Sequence, residues 1–443
     1  MNDDTIEPEF KKSYTYIFSF FYLIQGFYNG LQFIVLPIWL IGIIKTVDLA
    51  SIITIFAIPS IPWSGKFLIG LINDKYGSEK YGRRKPWIFI FCIFAGIGFI
   101  ITGIGVPLQT ESTVIMFALF GAFLFNIGIA IADTALDGLI LDVTPKKELG
   151  KVQGYTWSLN MFGNAAGGII LGAIFFIFNA IPMLFILEGI LLIFSGIFPF
   201  YIKERSIPKD VKAWKEFKAI ITKRKNWQVF LFTMMDNVPY NIVTIAFGLL
   251  ILIYLPNSPI TAEVTSITLI GESLDLFILF SLLGAIAGIG IIIGSILGGK
   301  ISDKKRRLSV FIGNLIYIPC FVLSVLVIGN LILGIIMMIL IGTGQGAAKA
   351  AYQAVRGDLA KRYPDLNSTY YALLISFLNG GAMVGLLIVA QLFTAFSAIF
   401  NEFYIIYFFI MFIMAGFQTL SLVIFLTIPQ SDYEFSHNLE GAK

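Results

Sequence analysis

Apolar residues run along the chain in long blocks, and short clusters of charge, Pro, Gly and Asn separate them. None of the blocks keeps the period-two alternation of a strand, which argues against a β-barrel. A helix needs roughly 20 apolar residues to cross a bilayer. Cutting at the polar clusters gives twelve such segments, near 14–40, 49–72, 87–106, 113–142, 153–178, 181–203, 229–255, 276–299, 308–328, 330–360, 369–395 and 402–428. The pattern predicts an all-α integral membrane protein with twelve transmembrane helices. Composition agrees: 57% of the 443 residues are hydrophobic, 13% are charged, and the mean hydropathy is +0.86. A soluble domain is excluded on those grounds.

Charge gives the segments a direction. Of 31 Lys and Arg residues, 27 fall in the two termini and the loops of one face, while the opposite loops hold Lys45 alone. The positive-inside rule then places both termini in the cytoplasm, in what is read as the plasma membrane. Lys66, Lys349 and Arg356 remain inside predicted helices.

The longest basic loop divides the chain into six segments and six. Residues 1–203 form an N-terminal bundle, 204–228 a cationic amphipathic linker suited to the membrane surface, 229–428 a C-terminal bundle and 429–443 a tail. The halves repeat one another. "KFLIGLIND", ending at Asp74, matches "SILGGKISD", ending at Asp303, and basic residues follow both. "DTALDGLILD" (133–142) aligns with "KAAYQAVRGD" (349–358), and "MFGNAAGG" (161–168) has a loose counterpart in "NGGAMVG" (379–385). Two pseudo-symmetric six-helix bundles are a transporter architecture.

The stretch "GLINDKYGSEKYGRRKPWIF" (70–89) sets seven charges between two apolar segments. Gly70, Asp74, Gly82, Arg83 and Arg84 resemble the loop signature of the major facilitator superfamily, with a longer interval between the Asp and the second Gly. The resemblance implies that fold over about residues 14–428. It implies a cytoplasmic latch at Gly70, Asp74, Gly82, Arg83 and Arg84, with Asp303 and Arg306 as the repeat, all away from the solute. Lys66, Phe67, Leu68, Asp133 and Asp137 add a likeness to the branch of muropeptide permeases and acetyl-CoA transporters. "GRRKPW" (82–87) also looks like the glycoside-cation and sucrose symporter branches. The acidic sodium ligands of melibiose-type symporters would fall on Pro62 and Lys66, and a lysine cannot coordinate sodium.

Polar residues in hydrocarbon are costly unless they face a partner or water. Asn126, Asp133 and Asp137 share one helical face at i, i+7 and i+11. Gln345, Lys349, Gln353 and Arg356 form a matching stripe on the tenth segment. The first offers Gln25, Asn29 and Gln32, the fifth Asn160 and Asn164, and the seventh Asp236, Tyr240 and Thr244. The resemblance implies that segments one, four, seven and ten line the solute path. Lys66, Asp133 and Lys349 sit at similar depth, roughly 12 to 14 Å above the cytoplasmic helix ends, so a three-charge cluster bridging the halves is expected. Glu188 is expected to have a local structural partner.

The expected function is secondary active transport of a small polar or anionic solute by alternating access. Coupling is expected to be to protons, through Asp133 or Asp137 beside Lys66. Lys349 and Arg356 suit a solute carboxylate or phosphate. A sugar or glycoside cation symporter is the alternative, followed by a non-transporting receptor or lipid scramblase. No nucleotide-binding loop or nucleophile motif points to an enzyme. Cys92 and Cys320 are isolated in apolar runs and the single His437 lies in the tail, so no metal site and no cofactor are expected. The acidic start, without a basic region followed by a short apolar core, leads to the expectation of no removable signal peptide. The expected partners are the solute and membrane lipids, with no nucleic acid, and the chain is read as a monomer.

Overall fold

The computed structural model describes residues 10–78, 80–144, 146–204, 213–262, 266–361 and 367–434. Helices dominate. In chain order they are α1 (Lys12–Gly30), α2 (Leu36–Ile44), α3 (Leu49–Ala57), α4 (Ile61–Ser64), α5 (Lys66–Lys75), α6 (Lys85–Gly105), α7 (Val114–Val143), α8 (Lys146–Ala165) and α9 (Gly172–Ile177). There follow α10 (Ile181–Ser195), α11 (Ala213–Ile221), α12 (Arg224–Asn237), α13 (Tyr240–Ile253), α14 (Ser273–Lys304), α15 (Arg306–Leu323), α16 (Leu331–Lys361), α17 (Asn367–Ser397) and α18 (Phe403–Leu426). Three short strands, β1 (Thr46–Asp48), β2 (Ile260–Ala262) and β3 (Ser266–Leu269), form an antiparallel sheet in the order β1-β3-β2.

Among the described residues, eleven helical runs are long and apolar enough to cross a bilayer. The segment expected at 229–255 differs from the rest, because α12 and α13 meet at Val238 and Pro239 as two helices of 14 residues each. Proline has no N–H to return to the preceding turn, and its ring collides with the carbonyl four residues back. The chain tightens there instead, with Val238 N–H on the Met235 carbonyl at 3.3 Å.

Contacts divide the chain into two units, residues 1–43 with 58–214, and residues 44–57 with 215–443. The boundary near 214 falls inside the expected linker. The inclusion of 44–57 in the second unit, which takes the beginning of the second crossing away from the first bundle, was not expected.

Within the first unit α1 packs against α8, α6 against α7, and α10 against α6. The α1–α8 crossing is close because its contact points have no side chains: a Cβ on Gly26 would lie 2.2 Å from the Asn160 carbonyl oxygen, and one on Gly163 2.2 Å from that of Leu23. The second unit repeats the device between α12 and α17. A Cβ on Gly381 would meet the Met234 carbonyl oxygen at 2.0 Å, and one on Gly385 that of Val238 at 1.9 Å. Small residues that let backbones approach are what membrane helices use where no hydrophobic drive separates protein from solvent. The two glycine-rich motifs matched in the sequence therefore occupy equivalent crossings.

Candidate functional site

In the first unit a polar network is strung along α7. Its 30 residues rise about 45 Å, which sets Asn126, Asp133, Asp137 and Asp142 at successive depths. Asp133 is nearly fully buried, while 43% of the Asp137 side chain is exposed. Lys66 opens α5 directly after a tight turn at Gly65, and its ammonium donates to Asp133 and, at 3.3 Å, to Asp137. α1 closes the other side: Gln25 Nε2 donates to Asp133 Oδ1 at 2.8 Å, and Tyr22 Oη donates to Asp137 Oδ1 at 2.5 Å. Asn160 of α8 steadies Gln25, donating to its Oε1 at 3.2 Å.

Two turns higher, Asn126 Oδ1 accepts from Tyr28 Oη at 2.6 Å and from Trp63 Nε1 at 2.9 Å. Its Nδ2 donates to Gln32 Oε1 at 3.0 Å. Gln32 lies in a five-residue π-helical turn, Leu31–Val35, that precedes Pro37. Asn29 and Asn164 are half-buried and take no part in this network. Tyr22, Tyr28 and Trp63 were not anticipated. Tyr22 and Tyr28 sit three residues either side of Gln25, on the same helical face, and that spacing was the available signal.

In the second unit the network centres on Asp236, whose side chain is fully buried. Arg356 Nη2 donates to its Oδ2 at 2.5 Å, and Lys349 Nζ to the same oxygen at 2.9 Å. Lys349 also donates to the Asp236 carbonyl at 2.8 Å and to Asn237 Oδ1 at 2.9 Å, so all three ammonium hydrogens have acceptors. The break between α12 and α13 leaves that carbonyl to the lysine. Gln418 Nε2 donates to Asp236 Oδ1 at 3.2 Å and to Asn314 Oδ1 at 2.8 Å. Arg356 also donates through Nη1 to Gln353 Oε1 at 2.8 Å, while its Nε is buried without a partner. Gln353 donates to Tyr371 Oη at 2.9 Å. Gln345 donates to the Tyr240 carbonyl at 3.1 Å, and the Tyr240 ring lies 4.9 Å from Lys349 Nζ. The Thr244 side chain lies outside the described set. Gln418 and Asn314 were missed, although Gln418 is the only amide in the run 403–428.

The expected cluster of Lys66, Asp133 and Lys349 is therefore corrected. Lys66 is paired within the first unit and Lys349 within the second. Equal depth gave no information on helix rotation, and Asp236, two residues before a proline break, was the nearer carboxylate for Lys349. Glu188 also departs from expectation: it is buried on α10 and its Oε1 has no hydrogen-bond partner.

The two units differ in charge. Among the described residues the first network holds one cation and two carboxylates, and the second holds one carboxylate and two cations.

At the basic ends of the bundles a second arrangement is repeated. Arg83 Nη2 donates to Asp142 Oδ2 at 2.6 Å, Arg84 Nε reaches the same oxygen at 3.3 Å, and Arg306 Nε donates to Asp358 Oδ2 at 3.0 Å. Glu204 Oε1 accepts the backbone N–H of Arg84 at 2.7 Å, capping α6, and Glu434 Oε1 accepts that of Arg307 at 3.0 Å, at the start of α15. Lys85 Nζ donates to the Ile202 carbonyl and Arg307 Nη2 to that of Leu426, at 3.0 and 2.9 Å. Gly82 has φ +94°, a conformation that costs glycine little, and a Cβ there would lie 2.2 Å from Glu204 Oε2. Gly70 lies along α5, where a Cβ would make only ordinary contact with Thr134. The side chains of Asp74 and Asp303 lie outside the described set. Glu204 and Glu434 were missed because each follows the last helix of its half, far in sequence from the loop it caps.

The sequence profile of the Major Facilitator Superfamily matches residues 18–386. Among curated proteins no sequence matches. Solved structures do. A bacterial homologue of the human lysosomal transporter Spinster, in an inward-facing and unoccupied conformation, superposes with a TM-score of 0.65 at 15% identity, covering 96% of this chain and 98% of that one. The nucleoside transporter NupG superposes with a TM-score of 0.62 at 12% identity, covering 93% of this chain and 97% of that one. These likenesses carry the fold, and the profile match extends over most of the chain. The chain belongs to the Major Facilitator Superfamily.

Proposed function

We propose that this transporter carries a small anionic solute together with protons. The observation behind the reading is the opposite charge excess of the two buried networks. Burying a charge without a partner is expensive, so each network is built to receive a compensating charge. The Lys66, Asp133 and Asp137 group carries one excess negative charge, which a proton neutralises. Asp137 is the carboxylate with access to water, so it exchanges the proton, and Asp133 receives it when Lys66 shifts between its two acceptors. The Asp236, Lys349 and Arg356 group carries one excess positive charge. A solute carboxylate or phosphate supplies the missing anion, held by Lys349 and by the unpartnered Nε of Arg356. The cytoplasmic clasps fix conformation without touching solute.

In this reading the protein works as a monomer in the plasma membrane with both termini inside. The charge excess of the second network favours the muropeptide and acetyl-CoA type of solute over an uncharged glycoside. The test is uptake into proteoliposomes carrying a trapped pH indicator, across organic acids, amino-sugar peptides, acyl-CoA esters, nucleosides and sugars. Solute-dependent proton movement with an acid, lost in Asp137→Asn and with binding weakened in Lys349→Ala, supports the proposal. Proton-independent uptake, or uptake of a neutral sugar that is indifferent to Lys349→Ala, overturns it.

A further inference from the structure

We infer that the second crossing is hinged at residues 58–65, and that its outer part, residues 44–57, moves as part of the C-terminal half of the carrier. The observation is the way the two ends of this crossing are fastened. On the outer side, β1 pairs with β3 in the register Thr46↔Thr268, Val47↔Ile267 and Asp48↔Ser266, and Leu269 N–H adds a bond to the Lys45 carbonyl at 2.7 Å. Asp48 then caps α3, accepting Ser51 N–H at 2.9 Å, and α3 packs along α17. Ile53 and Phe56 line one apolar cavity with Ile242, Ala246, Leu386 and Phe393. Every one of those partners belongs to the same unit as residues 44–57.

On the inner side the partners change. Trp63 is bonded to Asn126, Lys66 is paired with Asp133, and α4 and α5 pack on α7, all in the first unit.

Between the two anchorages the helix is not continuous. Residues Ile58–Ser60 form a 3₁₀ turn, Ile61–Ser64 a single α turn, and Gly65 N–H closes a tight turn on the Pro62 carbonyl at 3.1 Å. Pro59 and Pro62 remove two N–H donors from the ladder. A segment with missing rungs and a 3₁₀ stretch is where a helix bends at least cost. When the halves of a carrier move against each other, a crossing clamped to both must flex between its clamps, and here the chain is already broken there. The inference holds whichever solute is carried.

The test uses the full-length protein in lipid nanodiscs. The native cysteines are buried, so nitroxides go selectively on cysteines introduced at Thr46, Ser112 and Asn401, which are exposed. The Thr46–Asn401 distance is expected to stay single and narrow on moving from alkaline to acidic buffer. The Thr46–Ser112 distance is expected to spread or shift in step with Ser112–Asn401. Amide exchange is expected to be faster at 58–65 than in α3 or α5, and the double substitution Pro59→Ala with Pro62→Ala, which restores both donors, should slow it. A Thr46–Ser112 distance that stays fixed while Thr46–Asn401 shifts overturns the inference. So does uniform protection across 50–72 in the parent protein.

Discussion

The Glu204 carboxylate binds the backbone N–H of Arg84 through Oε1, while Oε2 is buried against Gly82 with no hydrogen-bond partner. Burial is the main reason its carboxyl is held above the ordinary glutamate range, with the charge of Asp142 acting in the same direction against the Arg84 N–H and Lys85. A carboxyl raised on folding contributes stability that is complete below its unfolded value and is lost as pH rises through the folded one. Glu204→Gln removes that dependence. The thermal midpoint of Glu204→Gln in detergent is expected to gain on the parent as pH rises from the acid side, and a gap independent of pH would refute the assignment.

As a cap, each glutamate stabilises the helix it closes. Glu204→Ala and Glu434→Ala should each cost about 1 kcal/mol, the usual loss for a helix N-terminal acceptor. The two losses should add, because no partner is shared. Chemical unfolding of the single and double variants reads this directly.

The first network predicts an asymmetry. Lys66→Ala strands both Asp133 and Asp137, and breaking a buried pair costs roughly 3 to 5 kcal/mol. Asp133→Asn leaves Lys66 with Asp137, 3.3 Å away, and should be clearly milder. Lys66→Ala combined with Asp133→Ala should recover stability relative to Lys66→Ala. Equal loss in the two single variants would place the Lys66 partner elsewhere.

In the second network the roles are reversed. Asp236→Asn leaves Arg356, whose side chain is 1% exposed, and Lys349 without their shared carboxylate, and should be the most destabilising of the intramembrane charge changes. Lys349→Met keeps the Arg356–Asp236 pair and should fold almost as well as the parent. A thermal midpoint for Lys349→Met as low as that of Asp236→Asn would mean that Lys349 is structural.

The glycine crossings are open to the same kind of test. Gly163→Ala and Gly385→Ala each drive a methyl group into a backbone carbonyl, and overpacking of this kind costs typically 1 to 3 kcal/mol. Gly416→Ala, where a Cβ meets nothing within 4 Å, should leave the thermal midpoint unchanged.

Sidedness follows from the charge distribution. Cysteines at Ser112 and Ser258 should react with an impermeant thiol reagent in intact cells, and one at Lys223 only after lysis. The reverse pattern would invert the topology.

The crossings and the repeat were legible because they depend on local composition and period. Lys66 with Asp133 was legible too, since a cation on the second segment and a carboxylate on the fourth sit at matched depth. The partner of Lys349 was not: helix rotation and the proline break that exposes the Asp236 carbonyl decide it, and neither leaves a trace in spacing. Residues 44–57 could not be assigned to the second unit for a related reason. Strand pairing of three residues across 222 positions, as between Thr46 and Thr268, has no periodic signature, and the prolines at 59 and 62 mark a break without saying which side belongs where.

The interruption at Pro239 has a consequence for biogenesis. Each half of that crossing rises only about 21 Å, well short of the roughly 30 Å hydrocarbon layer. The leading half also carries Asp236 within the crossing, a charge that the insertion machinery disfavours at the centre of a span. Such a stretch does not partition into lipid on its own merit as it leaves the ribosome. Its place is secured when the later helices bearing Lys349, Arg356 and Gln418 have been synthesised and can neutralise Asp236. The C-terminal half is thereby expected to assemble late, around a segment that waits for its neighbours.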